Sequence, residues 1–312
     1  MENLRLETNF ICEAPTQIRK DYFINSFLEL HLSRKIMEMG KKYFSSHNKI
    51  TAQPTSLVLK DRVGKSNNVA LLTLNRPEVF NALSEQLLKE LNMALEDCSA
   101  DESIVVVVLT GSHRAFSAGA DIKEMGELRF VDVHKSGLLG DWSVLTTLRK
   151  PIIAAVNGVA FGGGCELALM CDIIYASEKA LFAQPEIKIG TIPGAGGTQR
   201  WTRVAGKSLT MELCLTGDKI SAKEAKQCGI VSKVFPPEKV VEEAINLADR
   251  IAQNSVLVTS MVKQAVNSVY ETTLQQGIAV ERALFHATFA TEDRKEGMRA
   301  FIEKRPPKWT NE

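Results

Sequence analysis

The chain has 312 residues, 45% of them hydrophobic and 24% charged, which is the composition of an ordinary globular protein. Its 38 Lys and Arg nearly balance its 37 Asp and Glu, so its charge gives no reason to expect a nucleic-acid or membrane partner. No apolar run spans a bilayer, the six cysteines form no CxxC pair and the five histidines form no HExxH motif, so we expect no membrane insertion, free thiols and no metal site.

Residues 1–54 differ from the rest of the chain and are predicted to be an N-terminal extension. They contain eight Lys and Arg, six Asp and Glu, and no long strand-like run. A mitochondrial transit peptide is rich in Arg and Ser and poor in acids, so the match is incomplete. The stretch 39–49 is basic, aromatic and contains serine, which is closer to an organelle-targeting segment. Two interpretations remain open, a targeting segment and a disordered arm.

Residues 56–176 alternate strand and helix signals, as an α/β core does. A helix is predicted behind Ser84 as N-cap, because leucines recur there at a helical period. A short helix is predicted near Ile122. The predicted strands are dominated by β-branched and small apolar residues, which is typical of strands buried on both faces, and they lie at 69–74, 104–109, 151–156 and 171–176.

From about residue 206 the chain is predicted to be helical. Ser221 and Glu224 form a capping box, and Pro237 begins an amphipathic helix that runs to about residue 253. Two more helices are predicted before the C-terminus. Their apolar residues exceed what one α/β core needs, which predicts a closed oligomer. These apolar residues are Leu274, Ile278, Leu284, Phe285 and Phe289.

Two of the buried strands run into loops of small residues, at 117–120 and 162–164, and each loop enters a helix. Small residues let a ligand approach the backbone closely, and the start of a helix presents unpaired N–H groups. Two such loops facing each other would offer two N–H donors to one oxygen atom, which is an oxyanion hole. The pattern alone leaves open that both loops are simply tight turns.

Two glutamates stand in apolar surroundings beside these loops. Glu166 lies in an otherwise apolar helix start, and Glu186 follows Gln184-Pro185 directly after an apolar stretch. A single glutamate of this kind is more often a helix cap or a paired residue than a catalyst. Two of them favour acid–base chemistry, which needs paired groups.

Five motifs occur in order between residues 118 and 200, within a resemblance that covers about residues 56–308, some four fifths of the chain. They are AGADIKEM at 118–125, AVNG at 155–158, GGGCE at 162–166, QPE at 184–186 and GTIPGAGGTQR at 190–200. Together they resemble the crotonase (enoyl-CoA hydratase/isomerase) superfamily, and within it the mitochondrial short-chain enoyl-CoA hydratases. The resemblance implies an α/β fold with a β-β-α spiral core at 55–250. It also implies a helical part at 251–312 that drives trimer formation, usually as a dimer of trimers.

The resemblance also implies roles for particular residues. Glu166 and Glu186 would be the catalytic carboxylates, and the N–H groups of Ala120 and Gly163 would form the oxyanion hole. The implied substrate-binding residues are Ala120, Asp121, Ile122, Lys123 and Gly163, together with Phe301 and Lys304, which would contact coenzyme A across a subunit boundary. The chain departs from the family's pattern at Ser117, Phe161, Ala183 and 306–309. The first three departures affect the expected acyl-chain preference more than the reaction class, and the last puts the contact of the C-terminal residues in doubt.

The implied function is a hydro-lyase reaction, the addition of water to trans-2-enoyl-CoA to give 3-hydroxyacyl-CoA. It belongs to fatty-acid and branched-chain amino-acid oxidation in the mitochondrial matrix. No separate cofactor is expected, because the acyl-CoA substrate itself carries coenzyme A. One alternative is an isomerase or thioester hydrolase of the same fold, which commonly keeps only one carboxylate. The other is a non-catalytic RNA-binding relative, but Lys219, Lys223, Lys226 and Lys233 are spread out and interrupted by Glu224.

Overall fold

Two β-sheets and the helices around them make up residues 56–136 and 142–312, which the computed structural model describes. The extension predicted for residues 1–54 lies outside the described residues. The strands are β1 (Val58–Val63), β2 (Val69–Leu74), β3 (Val106–Thr110), β4 (Ala115–Ser117), β5 (Ile152–Val156), β6 (Val159–Phe161), β7 (Ile173–Ser177), β8 (Leu181–Ala183), β9 (Lys219–Ser221) and β10 (Lys233–Phe235). The helices are α1 (Glu85–Ala100), α2 (Ile122–Met125), α3 (Phe130–Ser136), α4 (Ser143–Thr147), α5 (Gly163–Met170), α6 (Gly197–Ala205), α7 (Lys207–Thr216), α8 (Ala222–Gln227), α9 (Val240–Ile251), α10 (Val256–Asn267), α11 (Leu274–Thr288) and α12 (Glu292–Ile302).

The larger sheet has the strand order β1-β2-β3-β5-β7-β10, and all its neighbours are parallel except the edge pair β1 and β2. The smaller sheet has the order β4-β6-β8-β9, with only β9 antiparallel to its neighbour. Successive strands alternate between the sheets, so that β3 and β4, β5 and β6, and β7 and β8 each form one turn of a spiral. A helix follows each of the first two turns, and a 3₁₀ turn, Pro185–Ile189, follows the third. The predicted α/β fold with a β-β-α spiral is confirmed.

The central strands are buried on both faces. Successive side chains of a strand point to opposite sides of the sheet, and each side packs against its own core. In β3, Val107 and Leu109 face the main core, which α1 and the smaller sheet also line. Val106 and Val108 face a second core that α9 covers. Burying an aliphatic side chain of this size contributes about 1.5–3 kcal/mol. The unbroken apolar runs of the sequence therefore reflect two cores that share one sheet.

Two predictions for the C-terminal third are corrected. The region from residue 206 contains the strands β9 and β10, each of three residues, which is too short for a period to be visible. Three α-helices rather than two follow α9. Side-chain caps separate them, because Thr273 accepts a hydrogen bond from Gln276 N and Thr291 accepts one from Arg294 N. The predicted Ser221–Glu224 capping box is confirmed.

Candidate active site

Three loops that follow the parallel strands of the smaller sheet meet at one edge of it. β4 leads into residues 118–121, β6 into Gly162 and α5, and β8 into Gln184 and the 3₁₀ turn. Parallel strands point their carboxyl ends to the same edge, so the loops lie side by side. This edge therefore gathers residues from three motifs that are far apart in the sequence.

The loops after β4 and β6 bring the backbone N–H groups of Ala120 and Gly163 close together. A Cβ atom on Gly163 would lie 3.5 Å from Ala120 N, and a Cβ atom on Gly119 would lie 3.4 Å from Gly163 N. Gly119 has a φ of +100° and its Cβ position is 2.8 Å from Phe161 O, so only glycine fits this close approach. None of the described residues accepts a hydrogen bond from either N–H group. Two backbone donors on neighbouring loops are thus available to one ligand oxygen.

Glu166, in the first turn of α5, is held by backbone donors from a distant segment. Its Oε1 accepts hydrogen bonds from Ala195 N and Gly197 N, each at 2.7 Å, and the residue is 2% exposed. Burial raises the pKa of Glu166, whereas the two N–H donors and the charge of Arg200 oppose that rise. Hydrogen bonds to an ionised carboxylate are roughly twice as strong as neutral ones. The pKa of Glu166 is raised overall, and the two donors limit that rise by favouring the ionised carboxylate.

Glu186 lies at the start of the 3₁₀ turn after β8, with its carboxyl group against Gly162. A Cβ atom on Gly162 would lie 2.9 Å from Glu186 Oε1. Burial raises the pKa of Glu186 to about 7, and the negative charge of Glu166 adds to the rise. Two carboxylates that share a site cannot both ionise easily. Glu186 therefore remains partly protonated near neutral pH and can supply a proton.

Sequence reasoning missed the residues that surround the two carboxyl groups. Gln184 is fully buried, and with its amide oriented to suit its neighbours it donates to Glu186 Oε1 at 3.0 Å and accepts from Trp201 Nε1 at 3.3 Å. Ala195 and Gly197 act through their backbone, so no side chain marks them. The motifs 184–186 and 190–200 contain these residues, but the motifs alone assign them no partner.

The residues predicted to lie along coenzyme A have different roles in the folded chain. The Asp121 carboxylate caps α2 by accepting a hydrogen bond from Lys123 N at 3.2 Å, and it pairs with Arg76 at 3.1 Å. Ile122 is 53% exposed, and Lys123 is also exposed. The side chains of Ile122 and Lys123 are therefore accessible to a ligand, whereas the Asp121 carboxylate is engaged within the protein.

Phe301 and Lys304 lie at the C-terminal end of α12, and Phe301 is 85% exposed. Within the described residues no hydrogen bond or ion pair joins them to Glu166 or Glu186. The tail after them, where the sequence departs from the family's pattern, is anchored by a hydrogen bond of 2.6 Å from Trp309 Nε1 to Gln253 O. The structure of one chain therefore leaves these two side chains on the surface.

The described residues also bear on three expectations from the sequence, which concern membrane insertion, a metal site and free thiols. No helix in the ranges 56–136 and 142–312 has both the length and the apolar character needed to cross a bilayer. Nor does this part of the chain bring together three or more His, Cys, Asp or Glu residues that could hold a metal ion. Its free cysteines are Cys98, Cys165, Cys171, Cys214 and Cys228.

Comparison with known proteins gives a consistent family. Residues 64–312 match the family model described as enoyl-CoA hydratase/isomerase. A mitochondrial enoyl-CoA hydratase from Pongo abelii is 59% identical over 248 residues, which are 80% of this chain and 86% of the relative. A probable mitochondrial enoyl-CoA hydratase from Dictyostelium discoideum is 56% identical, covering 79% of this chain and 89% of the relative.

Solved structures agree with the sequence comparison. The crystal structure of an enoyl-CoA hydratase subunit from Geobacillus kaustophilus superposes with a TM-score of 0.80 at 43% identity. The match covers 83% of this chain and 100% of that one. On the matched family model, the sequence relatives and the shared fold, the chain belongs to the enoyl-CoA hydratase/isomerase family, the crotonase superfamily.

Proposed function

We propose that this chain is an enoyl-CoA hydratase, a hydro-lyase that adds water to the double bond of trans-2-enoyl-CoA thioesters. The observation that carries the proposal is the pair Glu166 and Glu186, one held by N–H donors that favour its ionised form and the other with a pKa raised to about 7. A base and an acid on one site are what the addition of water needs. Relatives at 59% and 56% identity carry the same activity in their names.

Two backbone N–H groups polarise the thioester carbonyl group of the substrate. Its oxygen accepts hydrogen bonds from Ala120 N and Gly163 N, which stabilise the negative charge that develops when C3 is attacked. Removing one donor of this type typically costs about 10²- to 10³-fold in rate. The fit of the two loops at Gly119 supports this role, because it fixes the spacing of the two donors.

The two carboxyl groups act as the base and the acid in the addition of water. Ionised Glu166 takes one proton from water as the oxygen bonds to C3, and protonated Glu186 gives its proton to C2. Hydroxyl and hydrogen have then added across the double bond, on the same face, and a proton transfer from Glu166 to Glu186 restores both groups. The reaction uses no separate cofactor, since coenzyme A arrives with the substrate.

The coenzyme A portion lies along Ala120, Asp121, Ile122 and Lys123. The exposure of Ile122 and Lys123 supports this assignment, while the Asp121–Arg76 pair keeps the segment in place. Phe301 and Lys304 contact the coenzyme A of a neighbouring subunit. Their exposure at the end of α12 fits that role.

The assembly is a homo-hexamer, a dimer of trimers, built on the apolar surface of the C-terminal helices. Leu274 is 82% exposed, Phe285 58% and Phe289 47%, although all three are large apolar residues. An exposed patch of this kind marks an interface. Light scattering at micromolar concentration tests it, and a fully active monomer would contradict it.

The enzyme is located in the mitochondrial matrix, where it acts in fatty-acid and branched-chain amino-acid oxidation. Two relatives are named as mitochondrial, whereas the solved structure is bacterial, so a targeting experiment decides the matter. A reporter fused behind residues 39–55 should enter mitochondria, because that stretch is basic and poor in acids. A reporter that stays in the cytosol would overturn this assignment and leave the reaction untouched.

The direct test of activity is to mix the protein with crotonyl-CoA and follow the loss of the conjugated thioester absorbance. We expect a loss that reaches equilibrium, with 3-hydroxybutyryl-CoA as product. No loss with crotonyl-CoA, together with isomerisation of a 3-enoyl-CoA or release of free coenzyme A, would favour a sister reaction of the same fold. RNA binding without any of these activities would favour the non-catalytic alternative.

A further inference from the structure

The turn that binds Glu166 is itself held by a side chain from α6. Arg200 Nη1 donates a hydrogen bond of 2.9 Å to Ala195 O, and Arg200 N donates one of 2.8 Å to Gly196 O. Gly196 has a φ of +102°, and Arg200 Nη1 occupies the space that a Cβ atom on Gly196 would need. The guanidinium group therefore lies directly against the turn formed by Ala195, Gly196 and Gly197.

The same turn carries both N–H groups that bind the carboxylate. Ala195 accepts from Arg200 through its carbonyl oxygen and donates to Glu166 through its nitrogen, and Gly197 supplies the second bond. The peptide between Ala195 and Gly196, whose oxygen Arg200 binds, lies between the two peptides whose N–H groups bind Oε1. A shift of this central peptide would turn both N–H groups away from Oε1. Since a hydrogen bond weakens steeply with misalignment, the Arg200 Nη1 hydrogen bond to Ala195 O affects how well Glu166 is held.

The charge of Arg200, like its hydrogen bond to the turn, favours the ionised form of Glu166. Arg200 is half-buried, and its charge lowers the pKa of Glu166 against the effect of burial. Arg203 is the charged neighbour of Arg200 on its own helix, and Glu166 is the charged group that faces Arg200 from α5. The cavity of about 680 Å³ beside Arg200 also contains Asp172, Lys263 and Glu271 in its lining.

Arg203 offers a matched control. It lies one turn further along α6 and lines the same cavity, but its described hydrogen bonds are two of 3.4 Å to Gln199. It touches neither the Ala195–Gly197 turn nor Glu166 through any of these bonds. Replacing Arg203 therefore removes a charge of the same sign nearby without removing the Arg200 hydrogen bond that holds the turn.

We propose that Arg200 is a positioning residue for Glu166: its guanidinium group fixes the turn that binds the carboxylate, and its charge favours the ionised form in which Glu166 takes the proton from water. This inference rests on the proposed hydratase function for its catalytic consequence. The division of labour between the carboxyl groups then depends on a residue whose side chain hydrogen-bonds the turn and neither carboxyl group. Lys cannot replace Arg200 in full, because an ammonium group keeps the charge but lacks the planar guanidinium geometry that places Nη1 on Ala195 O.

The test compares Arg200→Gln, Arg200→Lys and Arg203→Gln in the full-length protein, with crotonyl-CoA hydration measured from pH 5 to pH 9. For Arg200→Gln we expect kcat to fall about 10- to 100-fold with KM changed less than about threefold. The low-pH limb of kcat/KM should move up by about one pH unit, because the base loses a neighbouring positive charge. Arg200→Lys should show lower kcat with the limb nearly unmoved, and Arg203→Gln should resemble the wild type.

Equal pH profiles and equal kcat for Arg200→Gln and Arg203→Gln would overturn the inference. If Arg200→Gln does not fold, Arg200→Lys decides, and wild-type kcat in that variant would refute the role of the guanidinium hydrogen bond. The infrared band of the protonated Glu166 carboxyl, identified by its absence from Glu166→Gln, provides a readout independent of turnover. It should persist to higher pH in Arg200→Gln. A wild type without hydration activity would refute the proposed function, while this band would still test the effect of Arg200.

Discussion

Raising the pH from 5 to 8 should destabilise the wild-type protein relative to a Glu186→Gln variant. In the folded protein, burial and the charge of Glu166 raise the pKa of Glu186 from an ordinary 4.5 to about 7. The folded state thus binds a proton more tightly than the unfolded state does. This gives stability that is fully present below pH 4.5 and is lost as the pH rises through 7. Glutamine cannot ionise and loses nothing over this range.

The size of the effect follows from the two pKa values. A change from 4.5 to about 7 corresponds to about 3.4 kcal/mol, at about 1.36 kcal/mol for each pH unit. Glu186 is only partly buried, and solvent screens its charge, so we expect about 1–2 kcal/mol. Glu186→Gln should therefore gain this amount of unfolding free energy over the wild type between pH 5 and pH 8. Hydrogen bonds lost in the variant change its unfolding free energy equally at pH 5 and at pH 8. The pH-dependent difference from the wild type is therefore unaffected.

Urea denaturation at pH 5, 6, 7 and 8 measures the difference, at one fixed protein concentration because assembly contributes to stability. Glu178→Gln is the control, since Glu178 is exposed and follows β7 at the surface. Its unfolding free energy should run parallel to that of the wild type. A Glu186→Gln curve that also runs parallel to the wild type would refute the raised pKa, and with it the assignment of Glu186 as the acid.

Two further predictions concern the turn at Glu166 and the N-terminal extension. In Gly197→Ala the new Cβ atom would lie 3.0 Å from Glu166 Oε1 and 2.7 Å from the Gln184 side-chain amide, so we expect kcat to fall at least about 10-fold with an unchanged circular dichroism spectrum. Wild-type kcat would contradict this. Deleting residues 1–50 should leave unfolding and hydration unchanged, because a charged, weakly patterned segment can bury little apolar surface, and an unstable or inactive truncated protein would make the extension part of the fold.

The long strands and the first helix were predictable from local pattern. β2, β3, β5 and β7 each have five or six residues, enough for their apolar character to be visible, and Ser84 caps α1 as predicted. The smaller sheet was not predictable, because β4, β6, β8 and β9 have three residues each. Such strands exist through pairing with one another, which is a long-range property that a short window of sequence cannot contain.

The two carboxylates of the site were predictable from the sequence, but the groups that hold them were not. Glu166 and Glu186 stood out because carboxylates are rare in apolar surroundings. Their partners did not, since Ala195 and Gly197 contribute backbone N–H groups, and folding brings these from about 30 residues downstream. The part played by Arg200 depends on the left-handed conformation of Gly196, and sequence shows only that a glycine is present.

The hydration kinetics of Glu166→Gln, Glu186→Gln and the double variant test the paired carboxylates most directly. Each single variant should lower kcat for crotonyl-CoA by about 10²-fold or more while still binding the thioester, as a general acid or base typically contributes about 10²- to 10⁴-fold. The double variant should be little slower than the slower single variant, because the two groups act as a unit. Near-wild-type hydration by either single variant would contradict the assignment of these two glutamates as base and acid.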